Sequence, residues 1–357
     1  MQTLPFATGL VEGFYGRQWG DADRLDCLDF IAAMGFRYYI YAPKGDAWLR
    51  RRWSERWSSA DEARLRAIAA CSNRAGLLWG CGLSPLGLVE DGSATALARW
   101  RDKLSYLEDF GPQLLCILFD DMPRHIDALA ERQADLVAIA LETSRARHAL
   151  VCPSYYSTDP VLERVFGKMP AGYWDDLGRL LPPEVGIFWT GERVCADAQS
   201  LHALRSIAAR FGRAPVLWDN YPVNDGEKGA KFLRIDAFRG RSPELADVVG
   251  AHFVNPMNQC WLSRIPLRTL AMLYRRGAGY DPDAAFPDAV RAECGAALAQ
   301  ELIRDLDLFQ RGGLDAIDAA RRVELARCYA RHDSPGAREL IGWLAGEYVF
   351  DPACLTG

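Results

Sequence analysis

Eight short apolar runs in the first 256 residues constrain this chain more than any other feature. They are TGLVEGFYG (8–16), YYIYAPK (38–44), LLWGCGLSP (77–85), LLCILFDD (114–121), ALVCPSYY (149–156), EVGIFWTG (184–191), APVLWDNYP (214–222) and VGAHFVNP (249–256). Their apolar parts are continuous rather than alternating, which marks strands buried on both faces. Between them, apolar residues recur at helical spacing: Leu25, Leu28 and Ile31; Leu97, Trp100, Leu104 and Leu107; Leu129, Leu136 and Ile139. Ser59 and Glu62 stand at capping-box spacing, and Gly76 and Gly111 sit where helices would stop. Buried strands alternating with helices imply a parallel sheet covered on both sides, and eight such units in about 260 residues fit a closed barrel. The expected fold is therefore α/β, a (β/α)8 TIM barrel over residues 1–278. An open doubly wound sheet is the alternative, but no G-x-G-x-x-G follows the first strand, so a dinucleotide site has no support.

Helical spacing continues beyond the barrel, through Leu298, Leu302, Leu306 and Phe309, then Ala319, Val323, Leu325 and Tyr329. Residues 279–357 are read as a small helical appendage that packs on the barrel or serves as a homodimer contact beside the substrate cleft. The net charge of −5 is spread over interspersed acidic and basic residues. No basic run offers a footprint for nucleic acid or for an anionic membrane surface. The start MQTLPFATGL lacks the basic and apolar regions of a secretory signal, and no window reaches the length of a membrane span. The expectation is a cytoplasmic protein. Ten cysteines are scattered, with no C-x-x-C pair and no histidine at zinc spacing, and most of them read as buried small hydrophobes; no metal and no cofactor is expected.

In a barrel of this kind the functional face lies at the C-terminal ends of the strands. Here those ends are polar and aromatic together: Glu12 to Tyr15, Lys44, Asp120 with Asp121, Tyr155 with Tyr156, Trp189 with Thr190, Trp218 to Asn220, and Asn255. As a set they describe a pocket with aromatic walls, amide and carboxylate groups, one ammonium and a carboxylate pair, which suits the apolar faces and hydroxyls of a sugar. Singly they have plainer readings: Trp218 as a core residue, Asn255 before Pro256 as a turn former, Gly16 as a turn glycine, the aspartates as a loop pair with one capping a helix. Successive side chains on a strand point to opposite faces, so both carboxylates reach one pocket only if the strand frays, which Met122-Pro123 favours. Like-charge repulsion and partial burial then raise the pKa of one of the two, giving an acid beside a base. Two consecutive residues cannot easily flank a glycosidic bond as acid and nucleophile; substrate assistance removes that difficulty, because the 2-acetamido oxygen attacks and the second carboxylate orients the acetamide.

VEGFYGRQW, YIYAPKGD, ILFDDMP, CPSYY, FWTG, VLWDNYPVND and FVNP, in this order, resemble glycoside hydrolase family 84, the retaining β-N-acetylglucosaminidases. The resemblance runs from about residue 8 to 290. It implies that Asp121 is the general acid and then the base, and that Asp120 polarises the acetamide of a β-linked GlcNAc conjugate or glycoprotein. Tyr156 would bond the forming oxazoline, and Asn220 would contact the acetamido group beside the wall made by Trp218. Asp225 and Asn255 would bind the outer hydroxyls, with Lys44 and the main chain of Gly13 near O3 and O4. Gly13 is then required because a Cβ would block that approach. Two rim positions depart from the family pattern: Gly45 where aspartate is frequent, and Gly226 where an aromatic commonly follows Asp225. Three further readings stay open: a sugar-binding protein without turnover, a metal-dependent hydrolase using Asp120, Asp121 and Asp225, and a Schiff-base role for Lys44.

Overall fold

Each apolar run becomes a strand, and each strand is shorter than its run. The computed structural model describes residues 1–122 and 126–355. The strands are β1 (Thr8–Glu12), β2 (Tyr38–Tyr41), β3 (Leu78–Leu83), β4 (Leu114–Leu118), β5 (His148–Cys152), β6 (Gly186–Trp189), β7 (Val216–Asp219) and β8 (Ala251–Val254). They close into a barrel in chain order, and the seam between β1 and β8, registered at Gly9 opposite Phe253, is parallel like every other pair. Glu12 and Asp219 are the last residues of their strands, whereas Lys44, Asp120, Asp121, Asn220 and Asn255 lie past the strand ends and project from loops at the barrel mouth.

Helices α1 (Asp21–Ala33), α2 (Ser59–Ala75), α3 (Ala94–Leu107) and α4 (Leu129–Thr143) follow the first four strands. Helices α5 (Pro160–Phe166) and α6 (Tyr173–Leu180) follow β5, α7 (Leu201–Phe211) follows β6, and α8 (Cys260–Arg276) follows β8. The cap of α2 is Ser58, not Ser59: its side chain accepts from the Asp61 amide at 3.3 Å, one residue earlier than the capping-box spacing predicts. Gly76 does end α2, at φ 75°, and Gly111, at φ 62°, ends the 3-10 turn that extends α3. Between β7 and β8 the described chain forms only two 3-10 turns, Gly229–Lys231 and Pro243–Asp247, and carries Arg241 inward.

Two buried ion networks brace the barrel under its mouth. Glu12 accepts both Arg24 Nε and Nη2 at 2.8 Å and the Tyr39 hydroxyl at 2.7 Å. Asp219 accepts Arg241 at 2.9 and 2.6 Å and faces His252 Nε2 at 3.1 Å. Burial alone would raise the Asp219 carboxyl, but the Arg241 guanidinium and His252 hold it down to about 2.

Beyond the barrel come α9 (Pro282–Asp307, broken at Gly295), α10 (Ala319–Tyr329) and α11 (Pro335–Leu344). Leu302, Phe309, Leu325, Tyr329, Leu340 and Trp343 form a second hydrophobic core, completed by Leu233, Met257 and Leu262 from the barrel side. Val323 is 52% exposed and takes no part in it. Glu339 of α11 accepts the amides of Trp261 (3.0 Å) and Leu262 (2.9 Å) at the open end of α8, which ties this region to the barrel. Among the described residues no helix is long and apolar enough to cross a membrane.

Candidate active site

All nine residues read from the sequence as catalytic or sugar-binding line one pocket at the C-terminal ends of the strands: Gly13, Lys44, Asp120, Asp121, Tyr156, Trp218, Asn220, Asp225 and Asn255. The pocket encloses about 480 Å³, counting the space open to solvent at its mouth.

The aspartate pair reaches it through a local break in the backbone. β4 ends at Leu118, the Phe119 amide still bonds Cys152 O at 2.8 Å, and Asp121 then adopts a left-handed φ of 53°. That turn places two consecutive carboxylates on one pocket, where a continued strand would have sent them apart. Aspartate tolerates this conformation better than most residues, at a cost of roughly 1–2 kcal/mol. Pro123, which the sequence offers as a cause of the fraying, lies outside the described residues.

The two carboxylates are held differently. Lys44 Nζ pairs with Asp120 Oδ2, while Asp120 Oδ1 is buried with no hydrogen-bond partner among the described residues. Asp121 is satisfied on both oxygens: the Tyr156 hydroxyl donates to Oδ1 at 3.0 Å and the Tyr15 hydroxyl to Oδ2 at 2.8 Å. Burial, and after it the negative charge of Asp121, raises the Tyr15 hydroxyl far above the ordinary phenol range, so it serves as a proton-bearing donor. Asp225 accepts the Tyr15 amide at 2.8 Å; burial pushes its carboxyl up to about 6, against the lowering effect of that bond.

The opposite wall is built on Trp218. Its indole N–H donates to Asn220 Oδ1 at 3.0 Å, and Asn255 Nδ2 donates to the same oxygen at 3.0 Å. Asn220 Nδ2 donates to Val194 O at 2.8 Å, so both ends of that amide have protein partners in the free pocket. Asn255 Oδ1 accepts the Gly13 amide at 3.2 Å, joining the ends of β8 and β1. Gly13 has a steric reason beyond the approach of a sugar: a Cβ there would lie 2.4 Å from Trp218 Cζ2. Gly16, at φ 83°, is a turn glycine as well. Of the two departures from the family pattern, Gly45 is exposed beside the Gln18 side chain and Gly226 is buried.

Of the other polar or aromatic strand ends, Tyr15 and Thr190 also line the pocket, and the rest turn away from it. Glu12 and Asp219 belong to the ion networks, Phe14 packs on Trp19, Trp189 packs on Trp174 and Phe211, and the Tyr155 hydroxyl donates to Gly167 O. Conversely, sequence reasoning assigned no role to the Tyr15 hydroxyl, to Arg50 behind it, or to Cys354, which arrives from the segment after α11 to line the pocket. Among the described residues no group of three or more His, Cys, Asp or Glu could hold a metal ion.

A closed parallel barrel whose mouth gathers paired aspartates, an ammonium, amides and an indole has the build of a barrel glycoside hydrolase. The chain belongs to the beta-N-acetylglucosaminidase family, glycoside hydrolase family 84, whose model matches residues 8–307. It is 26% identical over 279 residues to the protein O-GlcNAcases of Mus musculus and Rattus norvegicus, which covers 76% of this chain. It spans only 30% of the length of those relatives. Among solved structures, a Thermobaculum terrenum O-GlcNAc hydrolase mutant matches with a TM-score of 0.77 and 26% identity, over 95% of this chain and 80% of that one.

Proposed function

We propose that this chain is a retaining, exo-acting β-N-acetylglucosaminidase that removes terminal β-linked GlcNAc by substrate assistance, and that its substrates include protein-borne O-GlcNAc. One observation carries the reading. Asp120 presents a buried oxygen without a donor among the described residues, beside an oxygen already paired with Lys44. A buried acceptor left unsatisfied is costly, and the N–H of a 2-acetamido group is the donor that would complete it.

In the first step the acetamide oxygen attacks C1 while the bond from C1 to the leaving oxygen breaks. Asp121 supplies the proton to that oxygen, and the Asp120 carboxylate, accepting the acetamide N–H, stabilises the positive charge that develops as the oxazoline forms with its nitrogen still protonated. The Tyr156 hydroxyl, which donates to Asp121 in the free pocket, turns its proton to the acetamide oxygen when substrate binds. Water then attacks C1 with Asp121 as base, the oxazoline opens, and two inversions retain the β configuration. Asp225 and Asn255 hold the outer hydroxyls, and Trp218 with Asn220 walls the acetamido group. The names of the mouse, rat and Thermobaculum relatives support protein O-GlcNAc as the substrate.

The test is release of nitrophenol from nitrophenyl β-N-acetylglucosaminide by the wild type, by Asp120→Asn and by Asp121→Asn, each with and without chelator, followed by proton NMR of the first-formed sugar. Turnover indifferent to chelator, lowered at least about a hundredfold in both variants, with the β anomer appearing first, is the expected result. Formation of the α anomer, or full activity in Asp120→Asn, would overturn it.

A further inference from the structure

One guanidinium touches residue 121 from two directions. Arg50 stands just after the 3-10 turn Ala47–Leu49, in the loop between β2 and α2, and is half-buried. Its Nη2 donates to the main-chain oxygen of Asp121 at 2.9 Å. Its Nη1 donates to the Tyr15 hydroxyl, which in turn donates to Asp121 Oδ2 at 2.8 Å. The guanidinium also lies over the Tyr15 ring, 5.4 Å from its centroid.

Two consequences follow from hydrogen-bond inventory alone. Arginine has donors and no acceptor, so the Tyr15 oxygen must accept from Arg50, and its single proton is left for Asp121. While Asp121 is ionised, the Tyr15–Asp121 bond therefore runs from the phenol to the carboxylate. The other prong of the fork satisfies the carbonyl of a residue in the left-handed region, the conformation that brings both carboxylates to one pocket. A planar guanidinium can make both contacts at once; a lysine ammonium on a flexible stem does not reproduce that geometry.

We propose that Arg50 is a positioning residue for the general acid, setting the backbone turn of Asp121 and, through Tyr15, the orientation of its carboxyl. This rests on the assignment of Asp121 as that acid. Arg50 does not line the pocket, so its effect falls on protonation of the leaving oxygen and not on binding of the sugar ring.

Leaving-group chemistry separates these effects. A good leaving phenolate needs little help from an acid, while a poor one depends on it. Arg50→Met, Arg50→Lys, Tyr15→Phe and Asp121→Asn are compared with wild type on dinitrophenyl, nitrophenyl and methoxyphenyl β-N-acetylglucosaminides. Affinity for a GlcNAc-derived thiazoline reports binding, and circular dichroism reports folding. Arg50→Met is expected to lose about 10- to 100-fold in kcat on the methoxyphenyl glycoside and less than about threefold on the dinitrophenyl one, part of the 10²- to 10⁴-fold available to acid catalysis. Thiazoline affinity should stay within about threefold, and the losses of Arg50→Met and Tyr15→Phe should fall short of additive in the double variant. Arg50→Lys, which keeps the charge, should show the same leaving-group dependence in weaker form and stands in if Arg50→Met does not fold. Equal losses across the three substrates, while Asp121→Asn discriminates among them, would overturn the proposal. If Asp121→Asn itself fails to discriminate, the acid is misassigned and the positioning role falls with it.

Discussion

Replacing Gly13 by alanine adds one carbon to the pocket, and the structure says where it must go. An ideal Cβ at residue 13 would sit 2.4 Å from Trp218 Cζ2 and 2.8 Å from Cη2. Carbon atoms in contact settle about 3.5–4.0 Å apart, so the indole has to retreat by roughly 1 Å. Its retreat is obstructed: Trp218 is buried and packs edge-on against Phe188, with ring centroids 5.1 Å apart. The same movement stretches the 3.0 Å bond from the indole N–H to Asn220. Overpacking of this kind costs about 1–3 kcal/mol, and a shift of about 1 Å in a positioning wall can cost about a hundredfold in rate. Gly13→Ala should therefore lower Tm by a few degrees and kcat/KM on nitrophenyl β-N-acetylglucosaminide by a much larger factor. Both are measured beside Trp218→Phe and the double variant, because phenylalanine removes the clashing six-membered edge of the indole. Stability of the double variant should exceed that of Gly13→Ala. If Gly13→Ala matches wild type in both assays, or if Trp218→Phe brings no relief, the clash is not what makes residue 13 glycine.

Three further outcomes are expected. Asp219 has a carboxyl held below its unfolded value, so it contributes stability above about pH 4 that is lost as pH falls through about 2; urea unfolding between pH 5 and 2 should show this slope in wild type and not in Asp219→Asn. Removing that carboxylate also leaves Arg241 buried without its partner, at roughly 3–5 kcal/mol. Glu339 has the opposite sign: burial lifts its carboxyl to about 7, so the stability of its protonated form is complete below the unfolded value near 4.5 and disappears as pH rises through 7; Glu339→Gln should flatten that part of the stability profile. Asp225, at about 6, is neutral in acid and charged above neutrality; if it holds sugar hydroxyls as a carboxylate, KM should rise below pH 6 in wild type and lose that dependence in Asp225→Asn.

The barrel was legible because burial on both faces leaves an unmistakable run of apolar residues, and the site was legible where those runs end in Lys44, Asp120, Trp218 and Asn255. What could not be read was direction. Glu12 and Asp219 end strands as Asp120 follows one, yet they turn to Arg24 and Arg241, partners contributed by a helix and by a helix-free crossover. Arg50 is one of three consecutive arginines with no periodicity to mark it, and only the fold of its loop selects it over Arg51 and Arg52. Cys354 reaches the pocket from the far side of three helices, a placement set by tertiary packing alone. Val323 follows the helical period but faces solvent, since spacing identifies a stripe without saying whether anything covers it.

The Gly13–Asn255 bond has a consequence for how this molecule comes into being. It joins residues 242 apart, one just past the first strand and the other just past the last. A ribosome must therefore release nearly the whole cylinder before this wall of the sugar site can exist, and no half-made barrel possesses it. Retention on an immobilised GlcNAc ligand would then act as a proofreading assay, separating chains whose seam has shut from those arrested one strand short.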